Sequence, residues 1–256
     1  MIKAIAKFLV RKVPRPLLIK LSYLIRVPAS WIYSGDNYDC PVCRKSFRKF
    51  LPYGNQGKEN RMCPSCLSLE RHRLLWLFLK NKTDFFSRPM QVLHMAPEQP
   101  FLKRFRNLEN LDYTTADLVS PIADVKTDIR NLVFEDNRFD FIMCNHVLEH
   151  IDEEQTAMKE LWRVLKPGGK AILQVPIDYE RETTYEDPAI TAPKERERLF
   201  GQYDHVRVYG KDYPNRLKKA GFEVDAIDLY NQLPETKRTR YRLDQNELIY
   251  LCSKPE

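Results

Sequence analysis

The chain has 256 residues, 43% of them hydrophobic and 30% charged, which suits one α/β domain of roughly 160 residues and a smaller unit. Charged residues interrupt every apolar run before the roughly 18 residues that a spanning helix needs, which excludes a transmembrane helix. The net charge of +7 is uneven, since residues 1–34 carry +7, residues 35–90 carry +6 and residues 91–256 carry −6. A nucleic acid or an anionic membrane surface would therefore contact the first third of the chain.

The six cysteines indicate a metal site in a reducing compartment. Four of them occur in two Cys-Pro-x-Cys pairs, whereas Cys144 and Cys252 lie in apolar runs that are typical of strands. No signal-like apolar stretch precedes them, so the usage favours the cytoplasm over a disulfide-linked secreted scaffold. We expect a cytoplasmic protein, either free or peripheral at the membrane.

Residues 1–34 form a segment that is typical of a basic amphipathic helix. Basic residues recur at every fourth position, and Pro14 and Pro16 interrupt a pattern that resumes over residues 17–25. Such a helix can lie in an anionic membrane interface, where each basic residue contributes about 1 kcal/mol. The alternative is a helix that packs its apolar side on the rest of the chain or binds a partner.

Residues 35–82 form a second segment, which contains the two cysteine pairs and a docking helix predicted over residues 68–80. Nineteen residues separate the pairs, enough for a hairpin, so that four thiolates can close a tetrahedron around Zn²⁺. A closed four-sulfur shell leaves no position for water, and the metal would be structural. A redox dithiol, which needs one pair, and iron in place of zinc are the alternatives. The predicted ligands are Cys40, Cys43, Cys63 and Cys66.

Basic residues surround the cysteine pairs: Arg44, Lys45, Arg48, Lys49 and Arg61. They are consistent with RNA contact, but they would equally offset the charge of about −2 on a zinc tetrathiolate. His72, one turn beyond the second pair, is expected to be an ordinary helix residue rather than a metal ligand.

Residues 91–256 alternate between strand and helix patterns. Strands are predicted at 91–96, 112–117, 123–128, 139–144, 170–175, 222–229 and 247–253, and helices at 98–107, 153–164 and 210–219. This order predicts a seven-stranded, mostly parallel sheet whose last strand is antiparallel, with a ligand crevice at the carboxyl ends of its strands. Asp152 and Gln155 predict a capping box, and Gly168-Gly169 a tight turn.

One phrase in this segment carries a family resemblance. F-D-F-I-M-C-N-H-V-L-E-H-I, from Phe139 to Ile151, is followed by L-K-P-G-G from Leu165. Together they resemble the class I S-adenosylmethionine-dependent methyltransferases, in particular the small-molecule type called methyltransferase type 11. The resemblance covers residues 91–256 and implies a Rossmann-like α/β sheet, S-adenosylmethionine as cofactor and methyl transfer as the reaction.

The resemblance also assigns residues to the cofactor. Asp117 takes the position of the acid that accepts both ribose hydroxyls, a bidentate contact that suits a carboxylate. Asp128 matches the acid that receives the adenine amino group, with Ile129 packed on the ring. Asn145 and His146 match residues that line the sulfonium and the substrate entrance. The alternative for each acid is a solvated loop residue or a helix cap.

The loop after the first strand departs from the family pattern. His94 occupies the place of an acid, and Ala96, Glu98 and Pro100 occupy the places of the glycines, which normally let the backbone approach the cofactor's amino-acid tail. Glu98 would also place a negative charge near the carboxylate of that tail. Either His94, the Ala96 backbone and Gln99 replace the loop, or the fold has lost the cofactor.

Histidines are the candidate catalytic bases. His205 lies in an aromatic-rich phrase where the family builds its substrate lid, and His146 follows the fourth strand; both could take a proton from the acceptor. His205 could instead be a hydrogen-bonded loop residue, and His150 is expected to be structural. Residues 178–199, long for a connection, are predicted to cover the pocket.

The leading hypothesis is a zinc-containing S-adenosylmethionine-dependent methyltransferase. Its acceptor would be RNA, which suits the cationic first third, or a lipid or glycan-type small molecule, which suits the amphipathic helix. The alternative is a non-catalytic zinc-ribbon adaptor that binds RNA or protein through residues 1–82 and carries a relic fold.

Overall fold

A computed structural model describes residues 15–54 and 57–256. The basic repeat predicted over residues 1–14 lies outside them. The chain divides into two compact units: the first runs to Phe86 and includes residues 98–104 and 229–247, and the second comprises residues 87–97, 105–228 and 248–256. Two short pieces of the predicted 91–256 segment thus belong to the first unit.

The helices and strands are as follows. The helices are α1 (Arg15–Ile32), α2 (Glu70–Lys82), α3 (Gln99–Arg106), α4 (Glu154–Val164), α5 (Pro193–Phe200), α6 (Tyr213–Lys219), α7 (Leu229–Gln232) and α8 (Glu235–Arg240), with a 3₁₀ turn at Leu148–His150. The strands are β1 (Ser34–Cys40), β2 (Lys45–Phe47), β3 (Leu51–Tyr53), β4 (Lys58–Met62), β5 (Met90–Met95), β6 (Leu111–Asp117), β7 (Val125–Lys126), β8 (Phe139–Asn145), β9 (Leu165–Gln174), β10 (Tyr185–Glu186), β11 (Arg207–Val208), β12 (Glu223–Ile227) and β13 (Ile249–Ser253).

The second unit contains the predicted seven-stranded sheet, in the order β12-β13-β9-β8-β5-β6-β7. Strands β5 to β9 are parallel to one another, and β13 is antiparallel to both β9 and β12. The predicted α/β Rossmann-like fold is therefore confirmed. The chain order reverses between β5 and β8, and in open α/β sheets ligands bind outside the carboxyl ends of the strands at that point.

Apolar runs explain the central strands. Phe139, Phe141, Ile142, Met143 and Cys144 in β8 are 0–2% exposed, as expected of a parallel strand that is covered on both faces. Cys252 in β13 is also fully buried. Burial raises the pKa of the Cys252 thiol, which is consistent with a structural cysteine.

Some predicted boundaries differ from the structure. The capping box is wrong: the N-cap of α4 is Glu153 and makes no side-chain cap hydrogen bond, while Gln155 donates to the Arg216 carbonyl at 3.0 Å. Strand β9 starts at Leu165, five residues early, because Leu165 pairs with Phe139. The turn at Gly168 therefore lies inside β9; its φ of 70° suits glycine.

The segment predicted as a cover over the pocket is partly regular. Residues 178–199 contain β10, which pairs with β11, and most of α5, which ends at Phe200. Arg207 in β11 is 3% exposed and donates to the carbonyls of Leu148 and Asp152 at 3.0 and 2.9 Å. These bonds fix β11 against the 3₁₀ turn that follows β8.

Candidate functional site

The register of the sheet brings three of the predicted cofactor residues to one edge. Met95 pairs with Ala116 on one side and with Cys144 on the other. Because these strands are parallel, the next residue of each strand lies at the same carboxyl edge. Those residues are Ala96, Asp117 and Asn145.

Asp117 is held at this edge by its own turn. Its Oδ1 accepts hydrogen bonds from the backbone amides of Val119 and Ser120 at 2.7 and 2.6 Å. Leu118 and Val119, immediately after it, are 51% and 74% exposed. A fixed carboxylate beside exposed apolar surface suits a nucleoside, which presents a sugar diol and a flat apolar base.

Asp128 and Ile129 have other contacts. The guanidinium of Arg130 donates to Asp128, with Nη2 at 2.7 Å from Oδ2, and these bonds lower the pKa of the Asp128 carboxyl. Ile129 is 4% exposed and packs in the core of the second unit. An adenine amino group would share Asp128 with Arg130, and Leu118 and Val119 present more apolar surface than Ile129.

The loop without glycines keeps a glycine-like backbone. Ala96 has a φ of 48°, in the left-handed region, and its amide donates to the Ala116 carbonyl at 2.8 Å. This conformation costs a non-glycine residue about 1–2 kcal/mol. By contrast, the His94 side chain is fully buried, with Nδ1 2.6 Å from the Tyr113 hydroxyl. Of the two residues, Ala96 has the backbone conformation that the glycine-rich loop of the family would provide, whereas the His94 ring is buried in contact with Tyr113.

Glu98 and Gln99 are engaged within the first unit. Oε1 of Glu98 lies 2.7 Å from Nε2 of His72, and Nδ1 of His72 accepts from the Leu69 amide at 2.9 Å. Oε1 of Gln99 accepts from Arg26 at 2.6 Å. His72 uses both ring nitrogens in these contacts and is not needed as a metal ligand.

His146 follows β8 and is oriented by a buried carboxylate. It has a φ of 55°, and Nδ1 lies 3.4 Å from Oε1 of Glu149, whose side chain is 2% exposed. Nε2 of His146 is buried and has no hydrogen-bond partner within residues 15–54 and 57–256. A proton on Nδ1 would face Glu149 and leave the lone pair on Nε2, which is the arrangement of carboxylate-oriented catalytic histidines.

His205 reaches the same place from a distant part of the chain. Its Nδ1 lies 3.1 Å from the Phe200 carbonyl, and its ring is 4.7 Å from that of His150 in an edge-on arrangement. Burial, opposed in part by Glu149, lowers the pKa of His205. Glu149, His150 and His205 each offer a ligand atom within 4.8 Å of the others. The structure thus brings the two predicted bases together around Glu149.

Sequence reasoning missed Glu149. The signal was present in the spacing H-x-x-E-H of the methyltransferase phrase, which places His146, Glu149 and His150 at i, i+3 and i+4. Residues at these intervals share one face of a helical turn. The proximity of His205 to Glu149 could not be predicted, because His205 lies 56 residues beyond Glu149 in the sequence.

The four predicted zinc ligands form a cluster in the first unit. All four sulfur atoms lie within 4.8 Å of one another; Sγ of Cys40 is 3.5 Å from that of Cys66, and Sγ of Cys43 is 3.7 Å from that of Cys63. A Zn–S bond of about 2.3 Å places the sulfurs of a tetrahedron roughly 3.8 Å apart. The donor set fits Zn²⁺.

The two cysteine pairs have the same backbone geometry. In the first, the Arg44 amide donates to the Cys40 carbonyl at 2.8 Å; in the second, the Leu67 amide donates to the Cys63 carbonyl at 3.0 Å. Arg44 and Leu67 are both left-handed, with φ of 58° and 61°. Repeated turns of this kind are expected of two knuckles that grip one metal.

Arg73 is a buried cation near the thiols. It is fully buried, donates to the carbonyls of Ser68, Tyr241 and Arg242 at 2.7, 2.6 and 2.9 Å, and stacks 4.6 Å from the Phe50 ring. Burial lowers the pKa of Arg73 to about 10, while the neighbouring cysteines oppose the shift. No carboxylate of the described chain pairs with it. Its counter-charge would be the zinc tetrathiolate.

The basic residues around the cysteines are partly engaged. Arg61 pairs with Glu70 and Asp244, and Arg48 and Lys49 lie over the ring of Tyr33. Lys45 donates to the Ser30 hydroxyl at 3.3 Å and also lines, with Arg44, Lys80 and Arg240, a cavity of about 370 Å³. The surface is cationic, but much of its charge already has a partner.

The sheet order, Asp117 at the end of β6 and the phrase from Phe139 to Ile151 are those of a class I methyltransferase domain. Residues 81–173 match the family model described as a methyltransferase domain, which confirms the class inferred from the sequence.

Short stretches of the chain resemble quinone methyltransferases. It is 40% identical over 60 residues to the 2-phytyl-1,4-naphtoquinone methyltransferase of Nostoc punctiforme, covering 23% of this chain and 25% of that protein. It is 43% identical over 54 residues to the demethylmenaquinone methyltransferase of Staphylococcus carnosus, covering 21% and 22%. The chain thus spans about a quarter of the length of these curated relatives.

A solved structure agrees with the fold. The [4+2]-cyclase SpnF aligns with a TM-score of 0.51 at 16% identity, covering 81% of this chain and 88% of SpnF. At this identity the likeness shows the fold alone. In the described part of the chain, no helix combines the length and apolar character needed to cross a bilayer.

Proposed function

We propose that this protein transfers the methyl group of S-adenosylmethionine to a lipid-type small molecule at an anionic membrane surface. The observation that carries the cofactor part is Asp117, fixed at the carboxyl edge of β6 within a domain of the methyltransferase family. The names of the matched quinone methyltransferases support a lipid-soluble acceptor. RNA remains the alternative acceptor.

The residues at the carboxyl edge fit the cofactor. Oδ1 and Oδ2 of Asp117 can accept hydrogen bonds from the two ribose hydroxyls. Leu118 and Val119 can cover one face of adenine. The left-handed conformation of Ala96 would let the backbone approach the amino-acid tail. When bound, S-adenosylmethionine supplies an electrophilic methyl group on a sulfonium. The chain itself has to position the acceptor and remove its proton.

His146 and Glu149 would handle that proton. Glu149 keeps Nδ1 of His146 protonated, so Nε2 takes the proton of an acceptor hydroxyl and Glu149 stabilises the imidazolium that results. Glu149 is buried and His146 is 23% exposed. Low polarity around the pair strengthens their interaction.

Helix α1 would provide the membrane contact. Leu24, Ile25, Trp31 and Ile32 are 61–81% exposed and, at 100° per residue, lie with Leu17 within an arc of roughly 120°. The opposite side carries the buried Ala29 and Ser30. An exposed apolar stripe that ends in a tryptophan, in a segment with seven basic and no acidic residues, is typical of helices in an anionic interface.

Disrupting this stripe should release the protein from membranes. The double substitution Ile25→Asp with Trp31→Asp removes two side chains whose burial is worth about 1.5–3 kcal/mol each and adds two anionic groups. We expect the fraction that sediments with phosphatidylglycerol vesicles to fall at least tenfold. Val133→Asp, at a residue that is 69% exposed in the second unit, is the matched control and should sediment like the wild type. Equal sedimentation of all three proteins would contradict the membrane proposal.

Methyl transfer itself can be followed with a labelled methyl group. The full chain is incubated with methyl-labelled S-adenosylmethionine and either a polyprenylated hydroquinone in phosphatidylglycerol vesicles or total RNA. We expect label in the lipid extract only. Label in RNA would replace the lipid acceptor with RNA, and label in neither, with cofactor binding intact, would contradict this class of acceptor.

The non-catalytic adaptor is less well supported. A relic fold has no need to hold a fixed carboxylate at the end of β6, a left-handed alanine at position 96 and a His146 whose buried Nε2 has no hydrogen-bond partner among the described residues. Strained backbone and unpaired buried polar atoms reduce stability and are common at functional sites. Their combination at one edge favours an enzyme.

The zinc would be structural in this function. Four thiolates of matched geometry close the shell, and Arg73 places a buried cation beside them. The metal site would therefore help to hold the first unit together, since its strands β1 to β4 form two short two-stranded sheets.

A further inference from the structure

A second group of potential metal ligands lies in the second unit. The 3₁₀ turn after β8 places Glu149 and His150 side by side, and His205 approaches them from the segment before β11. The Val206 amide donates to the Glu149 carbonyl at 2.9 Å, which fixes the two segments together. One ligand atom of each side chain lies within 4.8 Å of the other two.

Glu149 is unusual for a residue without a metal. It is 2% exposed, and its Oε2 has no hydrogen-bond partner in the part of the chain that the structure describes. Its Oε1 lies 3.4 Å from Nδ1 of His146. A buried carboxylate oxygen without a partner is destabilising, and a cation beside it would offset that destabilisation.

Hydrogen bonds indicate which ring nitrogen of each histidine carries a lone pair. Nδ1 of His150 lies 3.3 Å from the Asp204 carbonyl, and Nδ1 of His205 lies 3.1 Å from the Phe200 carbonyl. A carbonyl can only accept, so each Nδ1 carries the proton and each Nε2 carries the lone pair. Metal-binding histidines are oriented in this way, by a hydrogen bond from the ring nitrogen that does not bind the metal.

We propose that Glu149, His150 and His205 bind a divalent first-row metal ion. Two imidazole nitrogens and one carboxylate are a donor set that such ions accept, and three protein ligands leave coordination positions open. An acceptor hydroxyl, or the adjacent oxygens of a hydroquinone or catechol, would fill them. A bound ion would lower the pKa of that hydroxyl, and Nε2 of His146 would accept the proton released when its O–H bond breaks. This role at the acceptor rests on the proposed methyl transfer, whereas binding of the ion does not.

The test is a titration of the full chain with Mn²⁺, followed by the electron paramagnetic resonance signal of the free ion. Manganese is a suitable probe because thiolates select softer metals, so the cysteine cluster competes poorly for it. We expect one Mn²⁺ per chain, and at least tenfold weaker binding in His150→Ala and in His205→Ala. His150 is 29% exposed, which makes the first substitution tolerable to the fold.

Two further variants complete the test. Glu149→Gln, which keeps the shape of the side chain, should also weaken Mn²⁺ binding, with circular dichroism used to check folding. Asp117→Ala should bind Mn²⁺ normally while losing S-adenosylhomocysteine, which separates the metal site from the cofactor site. No bound Mn²⁺ in the wild type, or equal binding in the histidine variants, would overturn the metal site whatever the outcome for the cofactor.

Discussion

Replacing Asp117 with alanine is expected to abolish binding of S-adenosylhomocysteine, the demethylated form of the cofactor. The carboxylate would accept two hydroxyl hydrogen bonds, and charged hydrogen bonds contribute about 1.5–3 kcal/mol each. Their loss weakens binding by a factor of at least about 100. Isothermal titration calorimetry of the wild type and the variant measures this directly.

Asp112→Ala is the matched control for this experiment. Asp112 lies on the same strand, β6, but at its amino end, where its Oδ2 accepts a long hydrogen bond of 3.5 Å from the side-chain amide of Gln91. It should bind S-adenosylhomocysteine as the wild type does. If the folded wild-type protein gives no heat with S-adenosylhomocysteine, the non-catalytic relic is favoured. If Asp117→Ala binds it normally, the proposed role of Asp117 is wrong.

Replacing Cys63 with serine is expected to remove the zinc and unfold the first unit. Zinc binding contributes roughly 10 kcal/mol or more in small zinc units, and without the metal Arg73 becomes a buried cation without a counter-charge. Elemental analysis should fall from one Zn²⁺ per chain to near zero, and resistance of residues 15–86 to protease should be lost.

Cys252→Ala provides the control for the thiol chemistry. Cys252 is equally buried, but it lies in β13 of the second unit, so its replacement should leave the zinc content at one per chain. A metal-free wild-type protein that keeps the same protease resistance and the same unfolding midpoint would show that no structural metal is needed.

The sheet could be predicted because its signals are local. The apolar run of β8, the turn glycines after α4 and the alternation of strand and helix patterns each occupy a few consecutive residues. The paired cysteines are equally local, and their spacing alone predicted the cluster. Asp117 was assigned through the family resemblance of its phrase, and as the last residue of β6 it lies at the edge where strand ends meet.

Side-chain partners were the part that the sequence did not reveal. The pairing of Asp128 with Arg130 and of Glu98 with His72 depends on how loops fold back, and the approach of His205 to Glu149 depends on a contact between segments 56 residues apart. The conformation of Ala96 could not be predicted either, because the amino-acid sequence shows that glycine is absent but not that the backbone keeps a left-handed conformation typical of glycine.

Arg73 connects distant parts of the sequence through the first unit. It follows the second cysteine pair, yet it binds the carbonyls of Tyr241 and Arg242, 168 and 169 residues further along the chain. Removal of the metal or oxidation of the thiolates is therefore expected to affect this late loop, because Arg73, whose counter-charge would be the zinc tetrathiolate, also binds its carbonyls. We therefore expect the oxidation state of the four cysteines to influence the geometry of the loop at Tyr241 and Arg242, which contains no cysteine.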